Sequence, residues 1–373
     1  MIIFDHDTDC STLFQIFTFA GGKMSVGNKM SVESSDCRQP QSLPSTRPGR
    51  TSVEKIAKLA EMLFSDPVIR ITAPGGSTRD SVRVHFEDWS LIASQRSSVS
   101  RLEREVAFLT HTKGKGAPVP TLMGVKDGVL FQTDLGTKRL TAELSRRSDQ
   151  NLEALAANSF ESLWRVKETV AGSNFLKQVK PIATGDRWVD RFANQIFHIA
   201  QEFQLPAPDY DATAMAKKLR WPATTFIKWD ARPGNASLDL EGKVHWFDWE
   251  DYGLRGGVED FAFLIGDEFW PLDAETSLGL FAASNRFSND ILPQLARFAM
   301  LCAAQRLRLI RAQWKTHGWV SLKTASRYDR IGGVEELIRP LCNRAADFAK
   351  VDSFSEELSE WLRSLASPEL WRN

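Results

Sequence analysis

Thr225-Phe226-Ile227-Lys228-Trp229-Asp230-Ala231-Arg232-Pro233-Gly234-Asn235, followed by Trp246-Phe247-Asp248-Trp249-Glu250, decides how this chain is read. An apolar, strand-like run ends at Ile227 and delivers Asp230 into a loop. Pro233-Gly234 forces a turn that brings Asn235 back towards Asp230. A hairpin with Glu241-Gly242 at its tip returns the chain, so that Asp248 faces the same space. Any one of these residues is an ordinary turn former. In combination they supply a carboxylate to orient an attacking hydroxyl and take its proton. They also supply an amide and a second carboxylate to hold a divalent cation against phosphates.

Working outward, the bulk numbers leave this chemistry unopposed. With 373 residues there is room for a two-lobed protein with a sizeable core. Lys plus Arg equals Asp plus Glu at 47 each, which gives no support for a nucleic-acid partner. No run reaches the ~18 apolar residues of a membrane span, so no membrane partner is expected. Leu13 to Ala20 is apolar, but Asp5, Asp7 and Asp9 precede it where a secretory signal carries Lys or Arg. Cys10, Cys37, Cys302 and Cys342 form no Cys-x-x-Cys pair, which fits reduced thiols in a cytoplasm.

Residues 1–50 read as a disordered leader, because 31–51 is rich in Ser, Pro, Gln and Arg and nearly lacks large apolar residues. A capped helix is expected from Thr51-Ser52-Val53-Glu54, with Ile56, Leu59, Met62 and Leu63 as its apolar positions. Alternating strands follow at 68–72, 81–86 and 89–94, with Pro74-Gly75-Gly76 turning between the first two. A helix spans 99–109, and two strands flank Asp127-Gly128. After Leu140 the pattern is helical apart from the hairpin at 236–248, with Ile291–Trp314 the longest periodic stretch.

These motifs resemble the aminoglycoside phosphotransferase superfamily, the protein-kinase-like small-molecule kinases that include choline and homoserine kinases. The family string His-Gly-Asp-Leu-His-Pro-Gly-Asn reads Lys228 to Asn235 here, and its Ile-Asp-Trp-Glu reads Phe247-Asp248-Trp249-Glu250. Gly257-Val258-Glu259-Asp260-Phe261-Ala262 resembles the segment whose Asp anchors the catalytic loop, a role that falls to Asp260. The likeness spans about residues 68–345 and is specific around 225–262. It implies an α+β, protein-kinase-like two-lobed fold. Residues 51–136 would form a small antiparallel, β-rich N-lobe and 137–373 a larger helical C-lobe. It further implies an ATP- and Mg2+-dependent phosphotransferase acting on a hydroxyl of a small molecule, of amino-alcohol, aminoglycoside or sugar type.

Carried over residue by residue, Asp230 becomes the catalytic base, and Asn235 and Asp248 the magnesium ligands. Gly75, Gly76 and Ser77 would lie over the phosphates, and Glu105 would be the helix glutamate that pairs with a strand lysine. Phe131-Gln132-Thr133-Asp134-Leu135-Gly136 would be the adenine-gripping hinge, with Gln132 and Asp134 on the nucleotide side. Three departures accompany this. The family histidines are Lys228 and Arg232, two cations expected near the phosphates. The strand that should carry the lysine reads Leu91 to Arg96, leaving Arg96, or Gln95 by register, as its substitute. The glycine turn is short. Because the losses touch nucleotide grip, a degenerate pseudokinase that binds nucleotide or serves as an interaction module is the alternative.

Of the twelve tryptophans, Trp229, Trp246, Trp249 and Trp270 flank the motif; core packing is expected of Trp246, and Trp249 is open between packing and a wall for a cationic amine. Glu250, Asp251, Asp267 and Glu268 read as a solvated rim, with an acidic pocket as the second reading. Arg306, Arg308 and Arg311 read as a solvated helix face, with acidic-substrate binding as the second reading.

Overall fold

Ser52 opens the first helix, α1 (Val53–Phe64), its side chain accepting from the Lys55 amide at 3.2 Å. The structure, a computed structural model, describes residues 51–76, 80–147, 149–328 and 333–372, and only the backbone at 149, 150, 289 and 328. The expected leader at 1–50 and Ser77 therefore lie outside the described residues.

Five strands follow the alternation closely: β1 (Arg70–Thr72), β2 (Ser81–His85), β3 (Ser90–Gln95), β4 (Leu122–Lys126) and β5 (Val129–Thr133). They pair antiparallel in the order β1-β2-β3-β5-β4. Asp127 and Gly128 both take positive φ (49° and 77°), the conformation a two-residue turn between twisted strands requires. One face of the sheet packs on α1, through Ile56, Leu59 and Ala60 against Val82, Val84, Leu91 and Phe131. Gly124 makes room beneath that helix: a Cβ there would lie 2.6 Å from a terminal methyl of Leu63, which would have to shift.

Helix α2 (Val99–Thr112) connects β3 to β4 and packs against the helical lobe. Its Phe108 is fully buried and stacks on Trp249 at 4.0 Å and Phe226 at 5.6 Å, both from the segment quoted first. The chain then forms β6 (Lys138–Arg139), α3 (Leu140–Leu144), α4 (Asp149–Val170), α5 (Asp186–Ala193), α6 (Gln195–Phe203) and α7 (Ala212–Lys218). Next come β7 (Thr225–Ile227), β8 (Ala236–Leu238), β9 (Val244–Trp246) and β10 (Gly253–Arg255). The last elements are α8 (Glu259–Ile265), α9 (Ala274–Ala283), α10 (Leu292–His317), α11 (Leu322–Tyr328), α12 (Ile338–Lys350) and α13 (Leu358–Ser364). Helix α10 is the buried spine, packed by α6, α8 and α12. The expected hairpin is larger than its sequence suggested: β6 extends it to three strands in the order β6-β8-β9, and β10 pairs with β7. These added pieces are two or three residues long, too short for alternation to reveal.

The charged residues of α10 overturn one expectation. Arg306 and Arg311 are 7% and 6% exposed, not a solvated face. Arg306 forks onto Glu268 with both contacts at 2.5 Å, and Arg311 donates to the Leu370 carbonyl and stacks on Phe203. Cys302 and Cys342 are buried free thiols. Among the described residues no helix is long and apolar enough to cross a membrane.

Candidate active site

Asp260, at the start of α8, builds the loop from below. Its Oδ2 accepts from the Lys228 amide and its Oδ1 from the Trp229 amide, both at 2.9 Å. Lys167 of α4 donates to the same carboxylate at 2.6 Å and to the Phe226 carbonyl at 2.8 Å. With its amide held, Trp229 sits at φ 77°, a left-handed conformation rare for a bulky side chain. Asp230 follows directly and projects from the rigid loop.

The Asp230 carboxylate is held by two side chains. Arg232 Nε donates to Oδ1 at 2.8 Å, and Asn235 Nδ2 donates to Oδ2 at 2.6 Å and to the Asp230 carbonyl at 3.0 Å. Burial raises its pKa, but Arg232, then Lys228 and Asn235, overcome that and hold it at about 2. Asn235 spends its amide NH2 on Asp230, which leaves its side-chain oxygen available to hold a metal. The Phe247 amide donates to the Asn235 carbonyl at 3.0 Å, so the hairpin places Asp248 one residue beyond the Pro-Gly-Asn turn.

Asp248 is itself left-handed, at φ 66°. Lys228 Nζ donates to its carbonyl at 2.7 Å, and Glu105 accepts from the next amide, that of Trp249, at 3.1 Å. Arg96 Nη1 approaches Asp248 Oδ1 at 3.1 Å, yet that buried oxygen receives no aligned hydrogen bond. Arg96 Nε pairs with Glu105 at 2.5 Å. The guanidinium thus stands at the end of β3, where the resemblance calls for a lysine, and spans the helix glutamate and Asp248. The β2–β3 register, with Ser81 opposite Ser94 and the Gln95 amide on the Asp80 carbonyl, puts the Gly75-Gly76 turn at this same end of the sheet. Gly76 carries φ 89°, so the turn needs a glycine there.

Other sequence candidates are placed elsewhere. Lys228, expected near the nucleotide, is 1% exposed; its charge is satisfied by the Asp248 carbonyl and lies 5.1 Å from the Trp249 ring. It braces the two loops from behind. Gln132 is buried within β5, between β3 and β4, so its backbone belongs to the ladder. Asp134 is taken up by Arg83, Ser90 and the Gly136 amide. These contacts fix the connection between lobes. Trp229, Trp246, Trp249 and Trp270 are all buried, so none forms a wall for an amine.

The expected acidic rim is neither a rim nor an open acidic pocket. Arg101 reaches Glu250 at 3.1 Å and Asp251 at 3.3 Å. Burial, then Asp248, push the Glu250 carboxyl up to about 7 against the pull of Arg96. Glu268 is clasped by Arg306, and Asp267 lies 3.7 Å from Arg306 and 4.0 Å from Arg232. Sequence reading missed Glu259 as well. Fully buried, it accepts from Arg255, from Trp221 and from the Gly256 and Gly257 amides, and so holds the turn before α8. A glutamate two residues beyond a Gly-Gly pair was the available signal.

Asp267 gives a test of these electrostatics. Burial, then Glu268, raise its carboxyl to about 7 against Arg306 and Arg232. A raised folded-state value contributes stability below the unfolded value of 3.8 that is lost as pH climbs through about 7. Asp267→Asn keeps an oxygen for the Phe269 amide but cannot ionise. The variant should gain melting temperature relative to the parent at pH 8 compared with pH 5. Parallel pH profiles would refute the account.

No family model matches the chain, and no curated protein matches it. Solved structures do. An aminoglycoside 2'-phosphotransferase-IIIa in complex with GDP aligns over 71% of this chain and 94% of its own, at 13% identity and a TM-score of 0.52. A Ralstonia eutropha protein named for the aminoglycoside phosphotransferases aligns over 80% of this chain and 98% of its own, at 14% identity and the same TM-score of 0.52. A choline/ethanolamine kinase family protein from Mesorhizobium loti covers 83% of this chain and 98% of its own at 16% identity, with a TM-score of 0.49. At these identities the first two matches establish the fold, a two-lobed, protein-kinase-like one, and leave the substrate to the site itself.

Proposed function

We propose that this protein is a phosphotransferase that uses ATP and magnesium to phosphorylate a hydroxyl of a small molecule. The observation that carries the proposal is that Asp230, Asn235 and Asp248 are set side by side. Asn235 Nδ2 donates to Asp230 at 2.6 Å, and the Phe247 amide, one residue before Asp248, donates to the Asn235 backbone carbonyl at 3.0 Å. The residues fit a magnesium ion. Asp248 Oδ1 is buried and accepts no aligned hydrogen bond, although Arg96 Nη1 stands 3.1 Å away, and Asn235 retains its side-chain oxygen. Among the described residues no group of three or more His, Cys, Asp or Glu could hold a metal alone, so this pair relies on phosphate oxygens to complete a shell. When bound, the ion would neutralise charge on the phosphates.

The chain's own residues do the rest. Asp230 accepts a hydrogen bond from the acceptor hydroxyl, aligns it, and takes its proton late. Held at about 2, it is a weak base and an effective orienter, which suits a transfer whose acceleration comes from positioning and charge. Arg232 lies against the same carboxylate and supplies a cation beside the transferred group. The Gly75-Gly76 turn and Arg96 offer the phosphate-side contacts. A cytoplasmic location suits the buried free thiols Cys302 and Cys342. A net charge of zero favours neither nucleic acid nor membrane as partner.

One observation favours a second reading. Arg96 rests 3.1 Å from Asp248, where a pseudokinase would keep its metal ligand neutralised. Thermal unfolding with ATP, with and without magnesium, separates the two. A kinase gains a magnesium-dependent shift, about 2.7 kcal/mol at 100 times Kd, and releases ADP with an acceptor. A shift indifferent to magnesium, without transfer to any acceptor in a broad panel, would support the pseudokinase.

A further inference from the structure

If Asp248 holds magnesium for phosphoryl transfer, as proposed above, the ion meets a rival already in place. Arg96, its side chain 9% exposed, stands among three carboxylates. Its Nε donates to Glu105 Oε2 at 2.5 Å, its Nη1 lies 3.1 Å from Asp248 Oδ1, and Glu250 Oε2 lies 3.6 Å from Nε. The first contact is an aligned hydrogen bond and the second is not, since the buried Asp248 Oδ1 accepts none. The guanidinium is therefore tied to Glu105 and only leans on Asp248.

Glu105 is fixed in turn. Fully buried in α2, it accepts from the Trp249 amide through its other oxygen at 3.1 Å. With that pivot held, the Nη1 end is the part of Arg96 that can change partner. Separate nitrogens serve Glu105 and Asp248, a division that a single ammonium does not reproduce. Burial works against the charge, but Glu105, then Asp248, outweigh it and raise the Arg96 pKa.

A divalent cation on either oxygen of Asp248 meets this positive charge across one carboxylate. Its other protein ligand would be the neutral side-chain oxygen of Asn235. Among the described residues no group of three or more His, Cys, Asp or Glu could hold a metal. A bare ion thus finds one carboxylate with a guanidinium against it. Phosphate oxygens both complete a shell for the ion and give the guanidinium a strong partner. We propose that Arg96 stands in for the metal at Asp248, so that the site takes magnesium with its nucleotide in preference to the bare ion. When nucleotide binds, the Nη1 end leaves Asp248 for a phosphate while Nε stays on Glu105. A pseudokinase would keep the contact with Asp248 permanently.

The test uses the full chain and manganese, which suits the same oxygen ligands as magnesium and is counted when free by electron paramagnetic resonance. Binding of manganese alone, and of ATP in chelator without metal, is measured for the parent, Arg96→Met and Arg96→Lys. Manganese alone should bind at least tenfold tighter to Arg96→Met and at least threefold tighter to Arg96→Lys. Adding Asp248→Asn should erase the gain. Metal-free ATP should bind Arg96→Met at least tenfold more weakly. Circular dichroism checks folding. Should Arg96→Met unfold because Glu105 is left buried without its cation, Arg96→Lys keeps a charge for Glu105 and carries the manganese test. Parental manganese binding in the folded variants, or a gain that survives Asp248→Asn, overturns the exchange and leaves the kinase reading intact. So does unchanged metal-free ATP binding in Arg96→Met. A parent chain that shows neither an ATP shift nor transfer overturns the kinase reading, and the exchange with it.

Discussion

Asp230→Asn keeps its fold and its affinity for nucleotide while phosphoryl transfer falls about 10²–10⁴-fold in kcat, the range associated with a positioned acid–base group. The amide is nearly isosteric. It retains one oxygen for either Arg232 or Asn235, so the loop loses about 1 kcal/mol of hydrogen bonding without an unpaired buried carboxylate. It cannot accept the hydroxyl proton, and it removes the charge that draws the hydroxyl into line. The pH dependence follows from the depressed value of about 2 against an ordinary 3.8. A depressed folded-state carboxyl contributes stability that is present above 3.8 and lost as pH falls towards 2. Asp230 is thus ionised throughout the neutral range and gives no limb to a rate profile between pH 5 and 9. Single-turnover transfer, measured beside ATP binding, checks this. A variant with parental turnover would remove Asp230 from the mechanism.

What the sequence revealed and hid follows from the range over which each signal acts. Asp230, Asn235 and Asp248 lie within nineteen positions, and Pro233-Gly234 sets their turn locally, so their convergence could be read from the chain. The β1–β5 lobe was legible for a related reason: alternation has a period of two, and Asp127-Gly128 marks its own turn. Arg96 and Gln95 were the two candidates for the lysine's place, but the contact of Arg96 with Asp248 joins positions 152 apart and depends on packing of α2 against the hairpin. Lys228 and Arg306 show the opposite failure. Lysine and arginine on a pattern are ordinarily solvent-facing. Here each is buried because a carbonyl or carboxylate from a distant element meets it, Asp248 for the one and Glu268 for the other. Tertiary charge pairing leaves no periodic trace. Likewise β6 and β10 exist only as partners of β8 and β7, and no isolated pair or triplet of residues announces a strand.

Asp260→Ala is expected to destabilise the protein by about 3–5 kcal/mol, the cost of breaking a buried ion pair from one side. Asp260 is 2% exposed and Lys167 is 7% exposed, so the abandoned ammonium has the Phe226 carbonyl as its one recorded bond. Two amides, those of Lys228 and Trp229, lose their acceptor at the same time. Against a typical total of 5–15 kcal/mol, the loss brings the chain near its unfolding threshold. A second substitution separates charge from loop geometry. Adding Lys167→Met removes the stranded cation, so urea unfolding of the double variant should recover part of the loss, a coupling that a sum of independent effects would not give. Transfer should not recover, because the two amides remain unanchored and Trp229 has lost what holds it at φ 77°. If instead the double variant regains both stability and turnover, Asp260 serves only as a counter-ion. The left-handed entry to Asp230 would then be set by the surrounding aromatic packing alone.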